Sequence, residues 1–431
     1  MSIDTSTAPI PATANQGAGK ITFDIQRRVA LIKDEMKSLI KERSEVIDGI
    51  WTGRVAQEHV LMLGPGGTGK SFLARTVAGH IVGSDYFEAA FDETTDPSQV
   101  FGPPDIKAMV EDGKTRRIPT GMLPEATEAF LDEFFNANGP LLHSVMPALN
   151  ERVFHNNGIP SSIPLRQCLM GTNKLNADAD QAALWDRVHM RYTVAPVTHR
   201  SNQADLIGEA IMRMALVGRG TTTNTNANKT TVTLAELDQA HAEALALDIP
   251  DTVIEMFLDI REELREGDGK IQISDRRSVE GMAAVLANAW VRGHEEVKVS
   301  DLDILASMWW TLQEQAPIAR GVILGATNPG EKAALDLLDD LDKLRSEMKS
   351  TLANDLDETR RAKVGVQMVK DADKLLGEAE AHLAKATAAG ADTTRINEVV
   401  GKGKAFKQEV GKVIFGLSND DQARAANASQ A

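Results

Sequence analysis

Cysteine is nearly absent: the 431 residues hold one thiol, Cys168, which excludes an intramolecular disulfide and any cysteine-rich zinc site. A reducing compartment suits such a chain, and the reading is cytoplasmic. Aromatic residues are scarce as well, at 4 %, so Leu, Ala, Val, Ile and Met have to fill the core. No apolar run approaches the roughly 18 residues of a membrane helix. The N-terminus lacks the basic start and apolar stretch of a secretory signal. Positive charge is in deficit, with 47 Lys and Arg against 62 Asp and Glu and a net charge of -15. That balance argues against electrostatic capture of nucleic acid or an anionic membrane as the main activity, and leaves only a local basic groove open. What the chain does have is 42 % apolar and 25 % charged residues, a globular mixture. Its length suits two to four domains at roughly 100–200 residues each.

Residues 1–20, rich in Ser, Thr, Ala, Pro and Gly, read as a flexible arm. Apolar positions from Ile21 to Ile50 recur near helical spacing (Val29, Ile32, Met36, Ile47), giving two helices or one interrupted helix. His59–Leu63 is a short apolar run stopped at Gly64; a glycine-rich turn and a helical pattern from Ser71 to Val82 follow. That order is the strand–loop–helix unit of a parallel sheet. Tyr86–Ala90, Ala129–Leu131, Arg166–Met170 and Met190–Val194 suit further central strands, and helical patterns between them make residues 21–200 an α/β core, a parallel sheet between helices. Asn156-Asn157-Gly158 marks a hairpin within Asn150–Pro164. Residues 201–327 read as an all-helical lid, interrupted by the polar tract Gly218–Thr230, expected to be a mobile loop. After the turn signal Asn328-Pro329-Gly330, residues 328–417 read as a C-terminal helical hairpin or bundle with a break near Ala389–Thr394, and 418–431 as a disordered tail.

Two motifs carry chemistry. Gly64-Pro65-Gly66-Gly67-Thr68-Gly69-Lys70-Ser71 meets the phosphate-loop pattern G-x-x-x-x-G-K-[ST]. Its glycines let backbone N–H groups curl around phosphate oxygens, and the next helix turns its positive end toward them. Lys70 would reach the β- and γ-phosphates of ATP, and the Ser71 hydroxyl would ligate Mg2+. Ala129-Phe130-Leu131-Asp132-Glu133 is an apolar strand ending in two carboxylates. Asp132 would hold Mg2+ through its water shell, and Glu133 would orient and deprotonate the attacking water.

The order of motifs resembles an AAA+ ATPase of the MoxR family, most closely its RavA-like branch. The resemblance rests on Glu42-Arg43-Ser44, Gly102-Pro103, Gly121-Met122-Leu123-Pro124-Glu125-Ala126, Phe130-Leu131-Asp132-Glu133, Ala148-Leu149-Asn150-Glu151-Arg152, Thr172-Asn173 and Leu184-Trp185-Asp186-Arg187. Ser274-Asp275-Arg276-Arg277 then falls where the family keeps its lid. The resemblance implies that Asn173 is sensor 1 and that Arg187 is an arginine finger reaching the neighbouring subunit's γ-phosphate, with Arg191 near enough to compete. It implies that Arg276 is the sensor 2 arginine, with Arg277 adjacent and unranked. The hairpin matches the family's pre-sensor 1 insertion, and Val100–Gly121, with Lys114, Arg116 and Arg117, matches its helix 2 insertion. Both would face the ring pore or the client.

The expected protein is thus a ring-forming, homo-hexameric ATPase using ATP and Mg2+, a chaperone that remodels or assembles a protein client beside a von Willebrand factor A domain partner. An AAA+ subunit of a metal-chelatase complex, a nucleic-acid motor and a nucleotide-gated scaffold are the other readings. The basic loop residues could equally be solvated. His143, His155 and His189 show no metal-ligand spacing, Cys168 reads as a buried structural thiol, and Trp309-Trp310 reads as lid packing or a partner contact.

Overall fold

A strand covered on both faces has to be apolar along its whole length, and Val60–Leu63 (β1) is buried at every residue. The same holds for Gln167–Thr172 (β7) and for all but the last residue of Glu128–Asp132 (β4). In the computed structural model these strands join Tyr86–Ala90 (β3) and Met190–Thr193 (β8) in a five-stranded parallel sheet of order β3-β4-β7-β1-β8. The register pairs Leu61 with Met170 on one side of β1 and Val60 with Met190 on the other. Parallel pairing puts the ends of β1, β4 and β7 side by side, so Gly64, Glu133 and Asn173 leave neighbouring strands at one edge. The structure describes residues 15–173, 187–198, 200, 202–208, 229–267, 269–353, 358–388 and 394–415; the expected loop at Gly218–Thr230 and the tail from 418 lie largely or wholly outside these.

Helix α1 (Asn15–Leu39) begins inside the span read as an arm, and α2 (Ser44–Ala56) follows a break at which Glu42 takes a positive φ of 58°. The break makes two helices of the leading segment. Helix α2 buries Val46, Ile47, Ile50, Trp51 and Val55, as a helix apolar all round must. The phosphate-loop motif leads into α3 (Lys70–Ala78). Ile81–Val82 (β2) pairs with Val232–Thr233 (β9), a two-stranded join that periodicity does not reveal.

Between β3 and β4 lie α4 (Ser98–Phe101) and α5 (Ile106–Asp112), the latter capped by the Asp105 carboxylate and ended by Gly113 at φ 66°. Helix α6 (Gly139–Asn150) starts at Asn138, whose side chain accepts from the Leu141 N–H. It leads into the expected hairpin, Val153–Asn156 (β5) with Ile159–Ser162 (β6), turned by Asn157 and Gly158 at φ 55° and 73°.

The span read as an all-helical lid instead contains a strand, β9, joined to the core, and is helical after it: α7 (Leu234–Leu245), α8 (Asp251–Glu266), α9 (Asp275–Val291), a 3-10 segment (Val299–Ser307) and α10 (Gln315–Thr327). Both adjacent tryptophans are buried. Trp309 meets Phe257 edge-on at 4.7 Å, and Trp310 lies 5.3 Å from the Arg191 guanidinium. Both rings thus pack within the lid region. The chain divides into two compact units, 1–320 and 321–431. In the second, α11 (Pro329–Ala353), α12 (Glu358–Ala388) and α13 (Thr394–Phe415) share a core of residues such as Leu337, Leu341, Met368, Ile396, Val399 and Phe406. Among the described residues no helix is long and apolar enough to cross a membrane.

Candidate active site

Lys70 opens α3, and its side chain folds back over the loop that precedes it. The ammonium donates to the Gly64 carbonyl at 2.7 Å, the Pro65 carbonyl at 3.2 Å and Asn173 Oδ1 at 3.3 Å. All three partners are neutral oxygens, so the buried positive charge is aimed but not cancelled. Gly67 and Gly69 sit at φ 78° and 86°, a region L side chains avoid, and a Cβ on Gly66, Gly67 or Gly69 would meet nothing within 4 Å. These glycines are thus open to solvent and leave the loop's backbone uncovered.

Asn173 ties the lysine to the carboxylate expected to act as base. Its Oδ1 accepts from Lys70, and its Nδ2 donates to Glu133 Oε1 at 2.6 Å. An amide between an ammonium and a carboxylate has one sensible orientation, so this residue is fixed by its neighbours. Glu133 is held from its other oxygen by Asn136 Nδ2 at 3.1 Å. Its backbone lies at φ 51°, a strained setting for a non-glycine residue that occurs where geometry is over-determined. Its N–H donates to Asp132 Oδ1 at 3.0 Å.

Gly171 is a residue that sequence patterns missed. A Cβ there would lie 2.3 Å from Asp132 Oδ1 and 3.1 Å from Lys70 Cε, so the lysine stem and the first carboxylate converge over a bare backbone. The expected result for Gly171→Ala is a protein with unchanged circular dichroism, a raised Mg2+ requirement and ATP turnover lowered on the order of ten- to a hundredfold, the cost of about 1 Å of misplacement. Titrating activity against Mg2+ checks it.

Ser71 and Asp132 are the residues present to hold Mg2+. Among the described residues no group of three His, Cys, Asp or Glu side chains forms a metal cage.

Arg43, from the Glu42-Arg43-Ser44 motif, is buried where the break before α2 meets the loop. Its guanidinium donates to the carbonyls of Glu42 (2.8 Å), Ala195 and Thr68 (3.4 Å). A cleft of about 340 Å3 opens beside it, lined by Arg191, Tyr192, Ser307, Trp310 and Arg320 among others.

The remaining arginines lie elsewhere. Arg187 is partly buried in the turn before β8, while Leu184, Trp185 and Asp186 fall outside the described residues. Arg191 is buried, donating from Nε to the Val188 carbonyl at 2.9 Å and from Nη1 to the Trp310 carbonyl. It is thus held within its own subunit's core. In the lid, Arg277 is also buried, donating to the carbonyls of Met308 and Trp310 and to Thr311. Arg276 is the exposed one, its Nε 3.0 Å from Glu280 Oε1. Glu280 in turn meets His189 at the start of β8. Lys70, Asp132, Glu133 and Asn173 thus gather at the end-of-strand edge, whereas Arg187 and Arg276 lie near the start-of-strand edge.

The two insertions are joined. Asn156 accepts from the Arg117 N–H at 2.8 Å and donates to its carbonyl at 3.0 Å, and Phe101 stacks on Phe154 at 5.3 Å. Arg116 pairs with Asp105, and Arg117 donates to Ser98 and the Gly102 carbonyl, so two of the three basic residues are bound within the insertion. Cys168 is buried in β7, where burial raises its thiol pKa out of any reactive range.

Residues 27–239 match a family model described as the MoxR domain in the MoxR-vWA-beta-propeller ternary systems, and residues 252–323 match an AAA lid domain. Two uncharacterized proteins of Methanocaldococcus jannaschii are similar. One is 31 % identical over 326 residues, covering 76 % of this chain and 81 % of its own. The other is 30 % identical over 321 residues, covering 74 % and 81 %. Among solved structures, a Cytophaga hutchinsonii protein named for an inferred ATPase activity shares the fold, with a TM-score of 0.55 at 15 % identity over 72 % of this chain and 96 % of that one.

Proposed function

Because this chain belongs to the MoxR family of AAA+ ATPases, we infer that it hydrolyses ATP at the Lys70–Asp132–Glu133–Asn173 centre and uses the cycle to remodel or assemble a protein client. The observation that carries the reading is the hydrogen-bonded run from Lys70 through Asn173 to Glu133. It sets a cation for the β- and γ-phosphates and a base for water on either side of one amide. Lys70 neutralises phosphate charge, Asn173 and Asn136 aim the Glu133 carboxylate, and that carboxylate takes the proton of the attacking water. Ser71 and Asp132 would hold Mg2+, which would supply charge neutralisation when bound.

A ring accounts for Arg187, which lies at the opposite edge of its own sheet from its own loop and would serve the nucleotide of a neighbouring copy. The RavA-like signature run supports that branch, and a hexamer follows from it. The description of the matched domain, which names vWA and β-propeller components, supports a von Willebrand factor A domain partner. Lys70→Ala tests the nucleotide site. Removing the charged donor is expected to weaken ATP binding by about ten- to a hundredfold, read by calorimetry, and unchanged affinity would sink the assignment.

A further inference from the structure

His189 stands one residue before β8, buried, and between two carboxylates. Its Nδ1 is 2.9 Å from Glu58 Oε2 and its Nε2 is 2.5 Å from Glu280 Oε2. Two carboxylate oxygens within ion-pair distance of one ring, one on each nitrogen, favour the charged imidazolium. Burial alone would lower its pKa, but the hydrogen bonds and charges of Glu280 and Glu58 outweigh that and raise it to about 9. The second oxygen of Glu280 accepts from Arg276. One chain of contacts therefore links the loop before β1, the segment carrying Arg187 two residues upstream, and the first turns of α9. The hydrolysis described above uses neither His189 nor Glu280.

We propose that His189 is a positioning residue: its bridge between Glu58 and Glu280 holds the Arg187 segment in register with Arg276, so that one subunit presents both guanidinium groups as a unit to the nucleotide of the next copy. This rests on the reading of Arg187 as acting in trans. Among the described residues, the charged groups facing the imidazolium include Glu58 ahead of β1 and Glu280 with Arg276 on α9; next to Glu58 come Arg152 and the buried, neutral His59. A pKa raised by folding means the bridge is intact at neutral pH and is lost as pH rises through about 9.

The test is complementation in mixed rings. His189→Gln keeps a side chain of similar reach but no charge. It is expected to bind ATP within about twofold of the parent while kcat falls ten- to a hundredfold, and to lack the parent's fall in kcat toward alkaline pH. Mixed with Lys70→Ala, whose subunits keep an intact His189 and Arg187, it should regain activity. Mixed with Arg187→Ala, defective on the same face, it should not. Equal recovery with both partners, or kcat near the parent's with the same alkaline fall, would overturn the proposal. If Arg187→Ala and Lys70→Ala fail to rescue each other in rings shown to have mixed, the trans reading falls instead. Should His189→Gln melt early or stay unfolded, Glu280→Gln goes through the same pairs with the same expectations.

Discussion

Subunits carrying Arg187→Ala and subunits carrying Lys70→Ala, each inactive alone, are expected to recover ATP hydrolysis when mixed. Some interfaces in a mixed ring pair an intact phosphate loop with an intact Arg187 from the adjoining copy, and those interfaces turn over. The effect is large because an arginine that stabilises transition-state charge is worth about 10^3 to 10^5 in rate, so partial recovery stands well clear of background. Arg191 cannot take over, since its guanidinium is buried against Trp310 and the Val188 carbonyl. Near-normal rates in Arg187→Ala alone would remove it from the chemistry. Steady-state phosphate release across a range of mixing ratios makes the measurement.

Glu133→Gln should separate binding from turnover. Glutamine preserves the length of the side chain and can still accept from Asn173, while Asn136 is free to flip and meet the new amide. The strained turn at φ 51° is untouched. What disappears is the base, and with it about 10^2- to 10^4-fold in rate, at unchanged ATP affinity. A variant that turned over at the parent rate would discard Glu133 as the base. Held in ATP, the same variant should retain its partners through affinity purification, and a von Willebrand factor A domain protein is the expected companion. Recovery of a metal-chelatase catalytic subunit in its place would favour that alternative.

Much of this was legible because sheet and loop obey local rules. Three or four apolar residues followed by Gly or Asp-Glu mark β1 and β4, and the phosphate-loop spacing fixes which backbone would face the phosphates. Three kinds of feature were not legible. The β2–β9 pair has two residues a side, too few to show a period. Helix α13 is legible as helix, but the reason for Gly403 within it is not. A Cβ on Gly403 would lie 2.7 Å from Leu376, so close packing explains that glycine and only the folded bundle reveals it. The third kind is long-range pairing. Nothing in a sequence joins His189 to Glu58 and Glu280, and by spacing alone the histidine looked isolated. Gly171 resembled any small residue in a strand until Asp132 and Lys70 were seen to converge on it. The burial of the lid arginines was not legible either, because Arg276 and Arg277 differ only by where α9 turns each of them.

Helix α6 has a mechanical consequence. Its cap, Asn138, follows the Glu133 turn closely and also bonds the Glu93 carbonyl at 3.1 Å; its far end runs through Glu151 and Arg152 into the hairpin. Twelve residues make a lever about 18 Å long, with Pro147 forfeiting a backbone hydrogen bond near the hairpin end as the compliant joint. A tilt of about 5° at the Asn138 end sweeps the other end by roughly 1.5 Å at 1.5 Å rise per residue. The Asn156–Arg117 clasp ties the α5 arm to the hairpin, so any such tilt would carry both segments together.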